Sequence, residues 1–192
     1  TITARGTWLI AKHAGSYKYA PISATIKNGT YVLNGTSSGK IRFEKGSAGI
    51  FENVTFKSSN GTFYQAIQTY ATNQTGEDEL NEYSFADCTF IDCYAGFEGS
   101  SGSCNKYVVS FTDCEFTAEK MSNGAGFIKT ANYVYGTLLV DNCSFNATAT
   151  GNSPAAIKLE TGSSVGENKL NVTVNNITFT GTSTGTGMYR YT

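Results

Sequence analysis

One short pattern recurs six times along this 192-residue chain, and nothing else in the sequence restricts its fold so severely. The segments are IKNGTY (26–31), FENVTF (51–56), FADCTF (85–90), FTDCEF (111–116), VDNCSF (140–145) and VNNITF (174–179). Their starts lie 25, 34, 26, 29 and 34 residues apart. Each reads apolar, any residue, Asn or Asp, small apolar (once Gly), mostly a hydroxyl residue, aromatic. A period of this size marks a chain built from units that cannot bury an apolar face alone and so stack on their neighbours.

The spacing inside the motif sets the local geometry. The last two apolar positions, such as Val54 and Phe56, are two apart and share one face of a short strand. The first, such as Phe51, lies three before Val54, so a bend must intervene for it to face the same way. Asn or Asp occupies that bend, where left-handed backbone is best tolerated among residues with a side chain. The corner residues Asn28, Asn53, Asp87, Asp113, Asn142 and Asn176 are therefore expected to form a ladder, with amides hydrogen-bonding along it. Adjacent Asp87 and Asp113 would repel unless solvated.

A third strand falls between motifs: KIRF (40–43), AIQT (66–69), GFEG (96–99), FIKT (127–130), AIKL (156–159) and MYRY (188–191). Its expected inward column is Ile41, Ile67, Phe97, Ile128, Ile157 and Tyr189. The outward column is Arg42, Gln68, Glu98, Lys129, Lys158 and Arg190, and a one-residue slip would exchange the two. The expectation is an all-β chain, a right-handed parallel β-helix of about six coils with three short strands per coil. At roughly 4.8 Å per coil, that is a rod about 29 Å long. A Greek-key sandwich would instead show hairpin turns every 8–12 residues or so, with no fixed corner residue.

The apolar-x-Asn-apolar-x-apolar segments, FENVTF and VNNITF above all, resemble the pectate-lyase-like β-helix superfamily over nearly the whole chain after about Ser23. The resemblance implies the fold. It implies little about activity, because this architecture serves polysaccharide lyases and hydrolases, phage tailspikes and microbial surface adhesins. In the pectinase-like members the active site lies on the outer face of one long sheet and carries clustered Asp residues. The equivalent outward column here holds one carboxylate, Glu98, and most Asp residues sit at corners, so no catalytic residue is assigned.

Composition narrows the classes further. The length fits one domain, residues 1–192, with a core of its own. Charged residues are 15% of the chain and the net charge is −1, so no global field draws in nucleic acid or an anionic membrane. No apolar run approaches the ~20 residues of a membrane span. The opening TITARGTWLI lacks an initiator Met, and GTGMYRYT at the other end reads like another repeat beginning; the expectation is a piece of a larger repeat-containing protein.

Of five cysteines, Cys88, Cys114 and Cys143 share one motif position and read as small buried apolar residues. Cys93 and Cys104 fall elsewhere, and their pairing is open. No cysteine spacing suggests zinc, His13 has no partner at ligand spacing, and the acidic run Glu77, Asp78, Glu79 and Glu82 lacks the form of a calcium loop; neither metal nor cofactor is expected. Nine Asn-x-Ser/Thr sequons occur, but those at Asn28, Asn53, Asn142 and Asn176 arise from the motif itself and carry no message about origin.

Two features suggest ligand binding. Lys129, Lys158 and Arg190 on successive coils, with Glu98 in the same outward column, could grip an anionic glycan. Tyr64, Tyr70, Tyr94, Tyr133 and Tyr135 fall near inter-strand loops and could rim a groove in which flat rings stack on sugars. Surfaces rich in Thr, Ser, Gly and Asn fit a noncatalytic extracellular module of a microbial cell-surface protein, an adhesin or glycan-binding stalk. Its partner would be a host or cell-wall glycan or a host surface protein, and its bare end strands would favour end-to-end self-association. The alternatives are a fragment of a carbohydrate-active β-helix enzyme, lyase or hydrolase, and a piece of a phage tailspike.

Overall fold

The computed structural model describes residues 2–4, 23–34, 40–44, 46–71, 81–99, 105–119, 121, 125–131, 134–147, 155–160, 169–181 and 187–191. The strand β1 (Ile2–Ala4) pairs with the second half of β2 (Ser23–Leu33). Both β2 and β4 (Ala48–Ser58) run unbroken through their corners. In later coils the corner splits the strand, giving β6 (Asn81–Ala86) with β7 (Thr89–Ile91), β9 (Asn105–Thr112) with β10 (Glu115–Ala118), β12 (Val134–Asp141) with β13 (Ser144–Ala147), and β15 (Leu170–Asn175) with β16 (Thr178–Gly181). These make one 11-stranded sheet folded along the line of corners. The third strands are β3 (Ile41–Glu44), β5 (Tyr64–Ala71), β8 (Cys93–Gly99), β11 (Gly126–Thr130), β14 (Ala155–Leu159) and β17 (Gly187–Tyr191). They form a second, 6-stranded sheet in strict chain order. All pairings are parallel, so the chain is an all-β parallel β-solenoid.

The corners follow the motif. Asn28, Asn53, Asp87, Asp113, Asn142 and Asn176 all have φ between 48° and 56°. Among the described residues Asp92 alone joins them, with φ 52°, at the separate bend between β7 and β8. There its nearly buried carboxylate accepts the Glu119 N–H at 2.9 Å. The amide ladder is partly as expected. Asn53 donates to Asn28 at 3.0 Å and Asn142 donates to Asp113, but Asn176 turns aside to Asp141 at 3.3 Å.

Inside, each motif position becomes a column. Phe51, Phe85 and Phe111 stack with ring centroids 4.7 and 4.5 Å apart. Phe56, Phe90, Phe116 and Phe145 stack at 4.7 Å at each step. Those spacings match the ~4.8 Å rise between parallel strands, so the coil pitch itself puts identical rings in contact. Each buried Phe is worth roughly 1.5–3 kcal/mol of transfer free energy, with about 0.5–1.5 more per ring pair. Between the stacks run Val54, Cys88, Cys114 and Cys143, all buried free thiols or apolar groups. Cys93 is likewise a buried free thiol, donating to the Phe56 carbonyl, while Cys104 lies outside the described residues.

The register of the second sheet differs from expectation in the third coil. Ala95, not Phe97, pairs with Ile67 and Ile128, and Gly96, not Glu98, pairs with Gln68 and Lys129. A shift of two residues keeps each side chain on its own face, so Phe97 still points inward and Glu98 outward. The physical reason is room. Phe97 packs among Tyr83, Tyr107 and Phe111, and a Cβ on Gly96 would sit 2.2 Å from Nε2 of Gln65, which crosses the strand there.

Candidate functional site

The outer face of the 6-stranded sheet concentrates the charged and amide side chains. Its corrected column is Arg42, Gln68, Gly96, Lys129, Lys158 and Arg190. For Arg190 the structure gives the backbone register beside Lys158, and its side chain lies outside the described groups. Two residues further along each strand comes a second column. Glu44, Tyr70 and Glu98 pair in backbone register, with the side chains of Glu44 and Tyr70 outside the described groups, and Glu160 occupies the same position beyond Lys158. Glu98 and Glu160 are then two strand spacings apart, about 10 Å along the backbone.

Two clusters form around these carboxylates. Gln65 Nε2 donates to Oε1 of Glu98 and Gln68 Nε2 donates to its Oε2, both at 3.2 Å. Glycine at 96 lets the Gln65 amide lie across the strand to reach that carboxylate. Oε1 of Gln68 is buried with no hydrogen-bond partner in the structure. Glu160 bridges the two lysines, at 3.3 Å from Lys129 Nζ and in direct contact with Lys158 Nζ. Burial pushes the Glu160 carboxyl up, but Lys158 and Lys129 outweigh it and hold the group below the usual carboxylate range. Lys40 is drawn below the ordinary lysine value, chiefly by burial, against the pull of Glu98 and with help from Arg42.

Tyr94 sits at this surface, stacked on Phe63 with centroids 5.4 Å apart. Burial lifts its hydroxyl to about 12, with Glu98 and then Glu160 adding to the rise. Tyr64 is half-buried on β5, and Tyr135 is 8% exposed and belongs to the core. A residue so covered cannot rim a groove. The Tyr70 side chain and all of Tyr133 lie outside the described residues.

The structure thus brings together Glu98, Lys129, Lys158 and Tyr94 from the expected set and adds Lys40, Gln65, Gln68 and Glu160. Glu160 was within reach of the sequence, because in a strand the residue two after Lys158 shares its face. Gln65 was not, because its role depends on the gap at Gly96. Chemically, the face offers ammonium donors, carboxylate acceptors, amides and one flat ring, all partly withdrawn from water. Among the described residues no group of three or more His, Cys, Asp or Glu side chains is placed to hold a metal ion. No helix among them is long and apolar enough to cross a membrane.

No family model, no curated protein and no solved structure matches this chain. The likeness to the pectate-lyase-like superfamily therefore rests on the repeat motif alone.

Proposed function

We propose that this chain is a noncatalytic binding module that lays an extended glycan along the outer face of the 6-stranded sheet, as part of a microbial cell-surface adhesin. The observation that carries the reading is the row of partly exposed amide and charged side chains on one sheet face, with Glu98 clasped by Gln65 and Gln68 and Glu160 bridging Lys129 and Lys158. Held by one another, these groups present fixed donors and acceptors to the hydroxyls of a ligand. Glu98 and the lysines supply charge-assisted hydrogen bonds, and the Tyr94 ring supplies an apolar platform. Four described cations, Lys40, Arg42, Lys129 and Lys158, outnumber the carboxylates Glu98 and Glu160, which favours a glycan bearing some negative charge.

A second reading has one specific observation behind it. Two carboxylates about 10 Å apart along the backbone approach the ~6.5–9.5 Å separation of acid and base in inverting glycoside hydrolases. One experiment separates the two. The purified chain is screened on a glycan array with calcium and with chelator, and every bound glycan is then checked for cleavage products. Binding without products, weakened at least ~10-fold by Gln68→Ala or Lys129→Ala, supports the binding module. Products that vanish in Glu98→Gln would replace it with the hydrolase. A blank array would remove both.

A further inference from the structure

We propose that Asn60 is a self-modifying site, where the turn from Ser58 to Thr62 promotes loss of the side-chain amide and turns a neutral residue into a carboxylate. Four Asn-Gly pairs occur in the chain, at Asn28, Asn34, Asn60 and Asn123. Glycine matters because its missing side chain leaves the amide nitrogen open to approach the Asn side-chain carbon. Gly35, Asn123 and Gly124 lie outside the described residues, which leaves Asn28-Gly29 and Asn60-Gly61 to compare. Asn28 sits at a corner, and Gly29 continues β2 in register with Val54, which ties that backbone into the sheet. Asn60 is exposed in the connection between β4 and β5, and Gly61 has φ 66° with open space where a Cβ would lie.

The surroundings of Asn60 activate its side-chain carbonyl. Oδ1 accepts the Ser58 hydroxyl and the Thr62 N–H, both at 3.1 Å. The Thr62 bond folds the side chain back over its own backbone, closing a ring that contains both Cγ and the Gly61 nitrogen. Two donors on one oxygen draw electrons from Cγ and stabilise the negative charge that develops on Oδ1 when a nucleophile adds. Both are held in place. Ser58 is the buried last residue of β4. Ser59 is pinned by its N–H to the Leu33 carbonyl at 2.9 Å and by its hydroxyl to Oδ1 of Asn34 at 3.0 Å. Among the described residues the Gly61 N–H makes no hydrogen bond that would hold the nucleophile back.

Water is the co-reactant. A solvent base removes the Gly61 amide proton, the nitrogen attacks Cγ of Asn60, and negative charge gathers on Oδ1 between its two donors. As the intermediate collapses, the bond from Cγ to Nδ2 breaks and that nitrogen takes up a proton and leaves as ammonia, closing a succinimide. Water then opens the ring at either carbonyl, giving aspartate or isoaspartate. Amide and water thus become acid and ammonia, with no change of oxidation state. The new carboxylate adds a single negative charge to a formal net of −1. Isoaspartate also reroutes the main chain through the side chain between β4 and β5. The change falls three residues before Phe63, whose ring carries that of Tyr94.

The test follows the native chain and a synthetic peptide of residues 56–66 side by side in mildly alkaline buffer, with peptide mass mapping over time. The amide-to-acid mass gain should appear at Asn60 at least ~5-fold faster in the folded chain than in the peptide, and faster than at Asn28 in the same sample. A protease that cuts before Asp should gain a site at position 60 in the aspartate product, while the isoaspartate product shows the mass gain without the cut. Ser58→Ala should slow the folded chain toward the peptide rate. Gly61→Ala, which has space for its methyl group, should slow it by hindering the nitrogen. Thermal melts establish that each variant is folded, and the comparison of native chain with peptide stands whether or not Ser58→Ala folds. Conversion no faster in the folded chain than in the peptide would overturn the proposal, as would an unchanged rate in folded Ser58→Ala or conversion at Asn28 that outruns Asn60.

Discussion

At the scale of single residues, the corner carries the fold. A side chain at φ near +50° costs roughly 1–2 kcal/mol for most L-residues, and Asn or Asp lessens that cost with a short polar group. Asn142 adds a hydrogen bond to Asp113. Asn142→Ala should therefore lose both backbone tolerance and the bond, destabilising by about 1–2 kcal/mol, whereas Asn142→Gly should recover the backbone part alone. Chemical denaturation of the pair separates the two contributions, and equal losses would show that the left-handed backbone is not the cost. Glu160 gives a prediction in pH. Its carboxyl is held below the ordinary 4.5 in the folded chain, so its contribution is present above the unfolded value and is lost as pH falls through the depressed folded value. The stability gap between wild type and Glu160→Gln should thus be widest near neutrality and close in acid below about pH 4.5. Thermal melts across that range check it, and a gap that persists in acid would point to packing instead.

At the scale of strands, the motif was readable because its period and its corner residue are both dictated by backbone geometry. The six third strands were equally readable from alternation, and all six exist. What alternation could not supply was the register of β8. A two-residue shift leaves every side chain on its face, so Ala95-Gly96 and Phe97-Glu98 are equivalent by pattern and only packing chooses between them. The candidate site inherited that blind spot: Glu98 was found, but its clasp by Gln65 and Gln68 depends on tertiary approach across Gly96. Packing also fixes Gly136, at φ 113°, where a Cβ would lie 2.1 Å from the Tyr107 carbonyl oxygen. Gly136→Ala must push β12 off β9 and should cost at least ~2 kcal/mol, read as a lowered denaturation midpoint. Phe111, between stacked Phe85 and edge-on Phe90, should cost about 3–5 kcal/mol as Phe111→Ala, and a loss under 1 kcal/mol would mean the ring stack adds little.

At the scale of the whole molecule, stability is unevenly spread along the axis. The inward residues of the middle coils, such as Phe85, Phe90, Phe111 and Phe116, are essentially inaccessible to water. Their counterparts at the far end, Leu170, Val172, Val174, Ile177 and Phe179, are only partly buried. In a stack where each unit leans on the next, the least covered unit opens first. Amide exchange should therefore be slowest in β7, β9 and β10 and fastest in β15 and β16. Uniform protection along the axis would mean that the chain opens as one block.

The uneven intervals between motifs have a consequence of their own. Steps of 25, 34, 26, 29 and 34 residues coexist with one line of left-handed corners, and the steps of 34, 26 and 29 with one unbroken ring stack from Phe56 to Phe145. The differences in length therefore fall between the strands that carry the corners and the rings. Such a chain can lengthen or trim its connections, or copy a whole turn, with little cost to the stack. Its sheets act as a fixed spine.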